Sequence, residues 1–327
     1  MPKILPFAVF SVFTLVFLES AVASETIIPT TYEAGHFFAV PQTIEGRTLR
    51  FLVDTGGGGA RGLMMITPEA LPKINTSPVP CDSFQIGARI SHWPAFSPSA
   101  GLPHTPSPTP CGAMALIVSL KESWFTADGI MGAGYMSQFD AWHFNYPEHR
   151  LSIENIGWTP PVAKPFIPLG FPKDAHGNHS ASFPSVDMKI DGQNIAMLLD
   201  TGATAMQTPA GHAATGAQQV KGQGTTSYIT TSTLNAWHAK HPQWHIISDG
   251  DGLMHTRLIE VPTIEFGPYI VKSVWFTERR DRNFSGDGIG QYMDRPIYGA
   301  LGANILSHFD LIIDYRHEHL IFLNGPV

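Results

Sequence analysis

An internal duplication constrains the fold of this 327-residue chain more than any other feature of its sequence. Residues 44–57 (IEGRTLRFLVDTGG) align without gaps with residues 190–203 (IDGQNIAMLLDTGA). The ends of the two halves also match, because residues 129–153 resemble residues 299–323 (GIMGAGYMSQFD with GALGANILSHFD). A third stretch, 83–96, aligns with 263–276. Three matched blocks in the same order predict two units of one fold.

Short apolar runs separated by turn residues predict that both units consist mainly of β-strands. Runs such as RFLVD, IAMLLD, YIVKSVWF and DLIID are alternating or continuously apolar, and Gly, Pro, Asn and Asp stand between them. Short helices are expected in TPEALPKI, in TPAGHAATG and around residues 304–308. The proline-dense stretch 155–168 predicts a boundary that divides the mature chain into units at 24–158 and 159–327.

The first 23 residues have the pattern of an export signal. Lys3 precedes the apolar stretch 4–18, which is short for a bilayer span, and Ala21-Val22-Ala23 is a small-residue cleavage pattern. We predict a signal peptide at 1–23 and an exported chain, periplasmic or secreted, with no stable membrane association after cleavage. An uncleaved membrane anchor is the alternative.

The two cysteines, Cys81 and Cys111, are expected to form a disulfide, because an exported chain folds in an oxidising compartment. Two separated thiols without nearby histidine spacing make a poor metal site. The pair is therefore interpreted as structural.

The charge balance excludes some classes of partner. The chain has 20 Lys+Arg against 27 Asp+Glu, and neither sign forms a long run. No nucleic-acid partner is expected, because polyanion-binding surfaces are basic.

Two Asp-Thr-Gly triplets, 54–56 and 200–202, each end an apolar run and are each followed later by two apolar residues and glycine. A lone triplet is common, but two copies inside duplicated blocks are specific. In these features the chain resembles the aspartic peptidases, and the flank LLDTGAT is closer to retropepsin-like bacterial domains than to pepsin. The resemblance covers both halves and implies an all-β, bilobal aspartic-protease-like fold, with two duplicated retropepsin-like β-barrel lobes and few short helices.

The resemblance also implies a catalytic dyad of Asp54 and Asp200, one from each lobe. Two carboxylates on one water cannot both ionise, so they share a proton. The ionised member can activate the water, and the protonated member can donate to the substrate carbonyl. This chemistry requires no metal and no organic cofactor. The implied supports of the dyad, through cross-lobe hydrogen bonds and close backbone approach, are Thr55, Gly56, Thr201 and Gly202.

The second half is longer than the first between its triplet and its later glycine block, and part of the extra length is the Gly- and Thr-rich stretch 220–237. This stretch predicts a flap hairpin in the C-terminal lobe, with Tyr228 over the substrate cleft. A surface hairpin residue is the alternative interpretation of Tyr228.

The four glycines at 56–59 depart from the usual pattern of such sites. Gly57 stands where a hydroxyl or Ala is typical, and a run of glycines adds backbone entropy that ordering must overcome. A phosphate-binding loop is disfavoured, because no Lys-Ser/Thr follows the glycines and Asp54 directly precedes the loop.

The 15 histidines do not predict a metal site. No H-E-x-x-H motif is present, and pairs such as His317 and His319 lack a third ligand. Surface positions are the favoured interpretation for the set His143, His149, His176, His179, His238, His241, His245, His317 and His319.

The residues together predict an aspartic endopeptidase that hydrolyses peptide or protein substrates, as a monomer whose lobes pair within one chain. The alternative is a noncatalytic peptide-binding protein that retains the fold and both aspartates. A further alternative is that the halves pair between two chains.

Overall fold

The structure is a computed structural model that describes residues 25–59, 63–75, 89–90, 96–103, 115–119, 126–154 and 157–326. The expected signal peptide 1–23 and both cysteines of the expected disulfide, Cys81 and Cys111, lie outside these residues, so both remain predictions. Within the described ranges, no helix is both long enough and apolar enough to span a bilayer.

The described part of the first half consists of short strands and two one-turn helices. The strands are β1 (Thr26–Ile27), β2 (Thr30–Glu33), β3 (His36–Ala39), β4 (Phe51–Asp54), β5 (Met65–Ile66), β6 (Arg89–Ile90), β7 (Ala115–Ile117), β8 (Gly129–Gly132), β9 (Ala141–Asn145) and β10 (Arg150–Glu154). The helices are α1 (Leu71–Ile74) and α2 (Ala133–Met136).

The second half has longer strands and three helices in its described residues. The strands are β11 (Phe166–Pro168), β12 (Ser185–Ile190), β13 (Gln193–Asp200), β14 (Thr204–Met206), β15 (Gln223–Thr225), β16 (Ser227–Thr230), β17 (Ile246–Asp251), β18 (Thr256–Phe266), β19 (Tyr269–Arg279), β20 (Gly299–Gly302), β21 (Asp310–Asp314) and β22 (His319–Asn324). The helices are α3 (Pro209–Thr215), α4 (Thr231–Lys240) and α5 (Ala303–Leu306).

Each half forms a seven-stranded sheet, and the two sheets share a central topology. The orders are β2-β3-β4-β8-β5-β7-β6 and β12-β13-β20-β16-β19-β18-β17. In both, the strand that ends at the aspartate pairs in parallel with the strand of the later glycine block, so that Asp54 lies opposite Gly132 and Asp200 opposite Gly302. The blocks around the triplets and around the later glycines therefore fold into matched structures.

Strands β4 and β8 are buried along their whole length, which explains their continuous apolar sequences FLVD and GIMG. Parallel strands covered on both faces favour such runs over alternation. The buried position carries Asp54 into the interior of the protein.

A six-stranded sheet, with the order β1-β10-β9-β21-β22-β11, joins the two halves. At its centre β9 and β21 run antiparallel, and Trp142 lies opposite Ile313. One hydrophobic cluster also includes side chains from both halves, such as Phe51, Trp142 and Leu199. The halves are thus connected by backbone hydrogen bonds as well as by apolar packing.

The short helices form largely where the sequence predicts them. Helix α3 begins after Thr208, whose side chain accepts a hydrogen bond from Gly211 N at 3.1 Å, and ends at Gly216 with φ of 61°. Both ends have typical capping residues. Helix α4 was not expected, because it continues directly from strand β16 into a sequence rich in Thr and Ser.

The structure reveals a correspondence between β5 and β16. Met65 lies opposite Ile130 of β8, as Tyr228 lies opposite Ala300 of β20. Each strand belongs to a similar stretch, MITPEAL in the first half and YITTSTL in the second. The second half inserts β14, α3 and β15 before this strand, which accounts for most of its extra length.

The third sequence alignment, of 83–96 with 263–276, does not match the strand pairing. Strand β7 pairs in parallel with β5, as β19 pairs with β16, so β7 takes the place of β19. Strand β6, inside the aligned stretch, takes the place of β18 instead. Both stretches contain a glycine between apolar runs, and that local similarity produced a wrong register.

The predicted fold class is confirmed: the described residues are mostly β, with few short helices, and form two matched sheets that a third sheet joins. The boundary between 158 and 159 remains a prediction.

Candidate active site

The ends of β4 and β13 bring Asp54 and Asp200 together in the interior of the protein. Their exposed fractions are 6% and 7%, and the two carboxyl groups lie close enough together that each perturbs the pKa of the other. Because β4 and β13 are equivalent strands of the duplicated sheets, the two carboxyl groups meet in a nearly symmetric arrangement.

Thr55 and Thr201 connect the two loops across the lobes. Thr55 N donates to Thr201 Oγ1 at 3.1 Å, and Thr201 N donates to Thr55 Oγ1 at 3.0 Å. Each hydroxyl then donates to a carbonyl of the opposite lobe, Thr55 to Leu199 O at 2.7 Å and Thr201 to Val53 O at 2.9 Å. These four buried bonds fix the separation and orientation of the carboxyl groups.

Gly56 and Gly202 each lie against the carboxyl group of the other lobe. A Cβ at Gly56 would be 2.4 Å from Asp200 Cγ, and one at Gly202 would be 2.3 Å from Asp54 Cγ. Their N–H groups donate to the aspartate of their own loop, at 2.9 Å for Gly56 and 3.1 Å for Gly202. Only a residue without a side chain fits at these two positions.

The glycine run after the first triplet has a structural reason at three positions. A Cβ at Gly57 would be 2.0 Å from Asp54 Oδ2. Gly58 and Gly59 have φ values of 98° and 68°, in the region that favours glycine. The glycines at 57–59 are therefore explained by the backbone conformation and by the close contact with Asp54. The sequence alone suggested a loosely ordered loop instead.

The two carboxyl groups differ in how strongly their environment disfavours ionisation. Burial raises the pKa of Asp200 well above its usual range, and the charge of Asp54 raises it further. Burial also raises the pKa of Asp54, but hydrogen bonds from Asp200 and from the N–H groups of Gly56 and Gly57 oppose the rise. The environment thus favours one proton shared by the two carboxyl groups, and titration belongs to the pair.

Such a pair can do acid and base chemistry at the same time. One member is ionised and can accept a proton, while the other is protonated and can donate one. Among the described residues around the site, no side chain is positioned as a nucleophile between the two carboxyl groups.

Comparisons with known proteins give matches only at the level of structure. No protein-family model matches the sequence, and no curated protein matches it either. Similar solved structures include an aspartic proteinase from Irpex lacteus, with 11% identity over 92% of this chain and 98% of that one, and a TM-score of 0.44. Another is Basic 7S globulin from soybean, with 10% identity over 93% and 97% of the two chains, and a TM-score of 0.46. The interpretation of the site therefore rests on the geometry of this chain.

Among the described residues, the second loop has further supports, and they begin at Thr204. Its hydroxyl donates to Gly202 O at 2.8 Å and lies 3.0 Å from Nε2 of His36, which belongs to the other lobe. Since the hydroxyl proton goes to the carbonyl, His36 is the donor to Thr204. Burial lowers the pKa of His36 to about 4, so the ring is neutral above that pH.

A buried ion pair holds the strand that follows this loop. Arg279 Nη1 donates to Asp251 Oδ2 at 2.7 Å, and Asp251 is fully buried. The guanidinium lies 4.4 Å from the centre of the Tyr228 ring, and Asp251 Oδ1 accepts from Met206 N at 3.0 Å. The sequence gives no signal for His36, Arg279 or Asp251, because their partners lie far away in the chain.

The flap interpretation of Tyr228 is wrong in this structure. Tyr228 lies in β16, which is hydrogen-bonded to β19 on one side and β20 on the other, so it cannot move as a hairpin. Its hydroxyl donates to Thr204 O at 2.5 Å and accepts from Thr204 N at 2.8 Å. Tyr228 therefore supports the second loop from within the sheet.

A cavity of about 380 Å³ opens between the halves. Its lining includes Tyr32 and His149 from the first half and Trp275 and His308 from the second, but neither Asp54 nor Asp200. The cavity is separate from the paired carboxyl groups.

Proposed function

We propose that the chain is an aspartic endopeptidase, in which Asp54 and Asp200 activate a water for attack on a peptide bond. The observation that carries the proposal is a buried pair of carboxyl groups, brought close to each other and fixed by the cross-lobe threonines. Acid–base hydrolysis is the chemistry for which such a pair is suited.

The proposed reaction starts with Asp54 ionised and Asp200 protonated. Asp54 takes a proton from the water as the water oxygen bonds to the peptide carbon, and Asp200 gives its proton to the carbonyl oxygen. In the second step Asp54 returns its proton to the amide nitrogen, and Asp200 takes one from a hydroxyl of the tetrahedral intermediate. The C–N bond breaks, and the pair regains its starting protonation.

The proposed substrates are extended segments of peptides or proteins. A peptide can add as a strand in a cleft between lobes made of sheets, where its backbone is held by hydrogen bonds. With the predicted signal peptide, the proposal places this hydrolysis outside the cytoplasm, in the periplasm or the external medium.

Hydrolysis of a mixed peptide library tests the proposal. The wild type should cleave library peptides, and Asp200→Asn should not, since the amide cannot take part in the proton transfers. Asp287→Asn, at an exposed position, is the matched control and should behave as the wild type.

Equal cleavage by the wild type and Asp200→Asn would overturn the mechanism. Saturable peptide binding by a wild type that cleaves no library peptide would instead support the noncatalytic peptide-binding protein.

A further inference from the structure

A second group of ionisable side chains lies on the six-stranded sheet, outside the candidate active site. Glu25, His143 and Glu154 each offer one potential ligand atom, and these atoms lie within 4.8 Å of one another. Glu25 immediately precedes β1, whose Thr26 pairs with Ile153 of β10, so Glu25 comes beside Glu154. Like charges opposite each other on a sheet are destabilising unless something compensates them.

His143 is oriented toward these carboxylates by a hydrogen bond on its far side. Its Nε2 lies 2.6 Å from Asp310 Oδ1, and Asn324 Nδ2 donates to Asp310 Oδ2 at 2.9 Å. A carboxylate partner fixes Nε2 as the donor and leaves a lone pair on Nδ1. Nδ1 lies 3.7 Å from Glu25 Oε2, too far for a hydrogen bond.

The position of His143 differs from the surface position that the sequence suggested. The residue is 7% exposed, so its Nδ1 lone pair is directed into the group rather than into solvent. Glu154 accepts no hydrogen bond from any described residue. His143 Nδ1 and a carboxylate oxygen of Glu154 are thus two potential ligand atoms that lie close to each other.

The charges of the group do not balance. Among the residues that the structure describes here, the three carboxylates of Glu25, Glu154 and Asp310 face one guanidinium, that of Arg150, which lies 3.3 Å from Glu25 Oε1. Ser152 adds one neutral donor to Glu25 Oε2 at 2.8 Å. These four charged groups leave two negative charges, which is the charge that a divalent cation neutralises.

We propose that Glu25, His143 and Glu154 form a Zn²⁺ site, with His143 Nδ1 and one oxygen of each glutamate as ligands. One imidazole and two carboxylates are typical zinc donors, and water can complete a tetrahedron. Asp310 then has the role of the outer carboxylate that orients a ligating histidine.

The geometry requires only side-chain adjustment. Zinc bonds of about 2.0–2.2 Å place the ligand atoms of a tetrahedron roughly 3.5 Å apart. Rotation of the Glu25 and Glu154 side chains can reduce the separations between ligand atoms, now up to 4.8 Å, to this value, since both side chains are only partly buried. The site would attach the first residues after the predicted signal peptide to the sheet that joins the lobes, and would stabilise the folded chain when filled.

Zinc titration of the full chain, after removal of metals with a chelator, tests the proposal. Isothermal calorimetry with Zn²⁺ should show one tight equivalent in the wild type, and Glu154→Gln should weaken it at least about tenfold. Glu265→Gln, an exposed glutamate of β18, should bind as the wild type.

A second variant separates ligation from general stability. Asp310→Asn leaves all three ligands in place but removes the carboxylate behind His143, and should lower zinc affinity by about 10- to 100-fold. Saturating zinc should also raise the melting temperature of the wild type more than that of Glu154→Gln. Absence of a tight equivalent in the wild type, or equal zinc affinity in wild type and Glu154→Gln, would overturn the proposal.

Discussion

The paired carboxyl groups of Asp54 and Asp200 destabilise the folded chain at neutral pH. A carboxyl group whose pKa is raised by folding contributes stability below the pKa of the unfolded chain, and that stability is lost as the pH rises through the folded pKa. Because burial raises the pKa of Asp200 well above its usual range, this loss is present at pH 7. The proposed catalytic arrangement thus has an energetic cost.

We therefore predict that Asp200→Asn abolishes peptide hydrolysis and increases the free energy of unfolding at pH 7. An amide keeps the shape and can donate to Asp54, but it carries no charge to desolvate. Urea unfolding at pH 7 and pH 3 measures the effect, which should shrink at pH 3, where the wild-type carboxyl is protonated in both states.

The control variant Asp287→Asn, at an exposed position, should leave the urea unfolding curves at pH 7 and pH 3 unchanged. A lower stability of Asp200→Asn than of the wild type at pH 7 would contradict the account of the pair.

His36 makes a second pH-dependent contribution, of opposite direction. Its pKa is about 4 in the folded chain against 6.5 for the free side chain, so the unfolded chain binds more protons between these values. Stability is full above pH 6.5 and should fall by about 3 kcal/mol as the pH decreases to 4.

His36→Gln keeps a donor for Thr204 but cannot titrate, so its unfolding free energy should depend less on pH between 6.5 and 4. Urea unfolding across this range measures the slope, with His176→Gln at an exposed position as the control. Identical slopes for wild type and His36→Gln would show that His36 is not the group responsible.

At the scale of elements, the insertion β14-α3-β15 and strand β16 explain how the second loop is held. Tyr228 of β16 makes two hydrogen bonds to the backbone of Thr204, where β14 begins. Strand β16 thus supports the Asp200 loop of its own lobe through the side chain of Tyr228. That loop in turn contacts the other lobe.

Tyr228→Phe should lower the free energy of unfolding by about 1–3 kcal/mol, because it removes both hydrogen bonds of the hydroxyl and leaves the buried N–H of Thr204 without this acceptor, while Arg279 still donates to Thr204 O. Guanidinium unfolding measures the change, and Tyr298→Phe, with Tyr298 48% exposed, serves as the control. A flap residue would behave differently: stability would be unchanged, and KM for peptides would rise.

The elements around the paired aspartates could be predicted because their pattern is local. Strands β4, β8, β13 and β20 each occupy one continuous apolar run beside a glycine or an aspartate, and duplication showed each run twice. The correspondence of β5 with β16 was missed, because β14, α3 and β15 separate β16 from its triplet in the second half only.

Contacts between distant segments could not be predicted from the sequence. His36 reaches Thr204, and His143 meets Glu25, only after strands from different parts of the chain have paired. No periodicity in a single sequence indicates such long-range contacts, since the pairing register of strands far apart in the chain is set by the whole core.

At the scale of the whole molecule, the six-stranded sheet makes the halves interdependent. Strands β9 and β21 come from different halves and pair along five residues each. The threonine bonds between the triplets add a second connection. Unfolding one half would therefore expose sheet edges and core surface of the other.

We predict that the two halves unfold in a single transition. Calorimetry should give one peak whose calorimetric enthalpy equals the van't Hoff enthalpy, and fluorescence and circular dichroism should change together. Two separate transitions would mean that the shared sheet does not couple the halves.

The central claim, that one carboxyl group from each half forms a single catalytic unit, is tested most directly by a cycle of variants. Turnover of one cleaved library peptide is measured for the wild type, Asp54→Asn, Asp200→Asn and the double variant. Since neither carboxyl group can complete the proton transfers alone, each single variant should lose as much activity as the double variant. Independent losses that multiply in the double variant, or a single variant that keeps wild-type turnover, would contradict the claim.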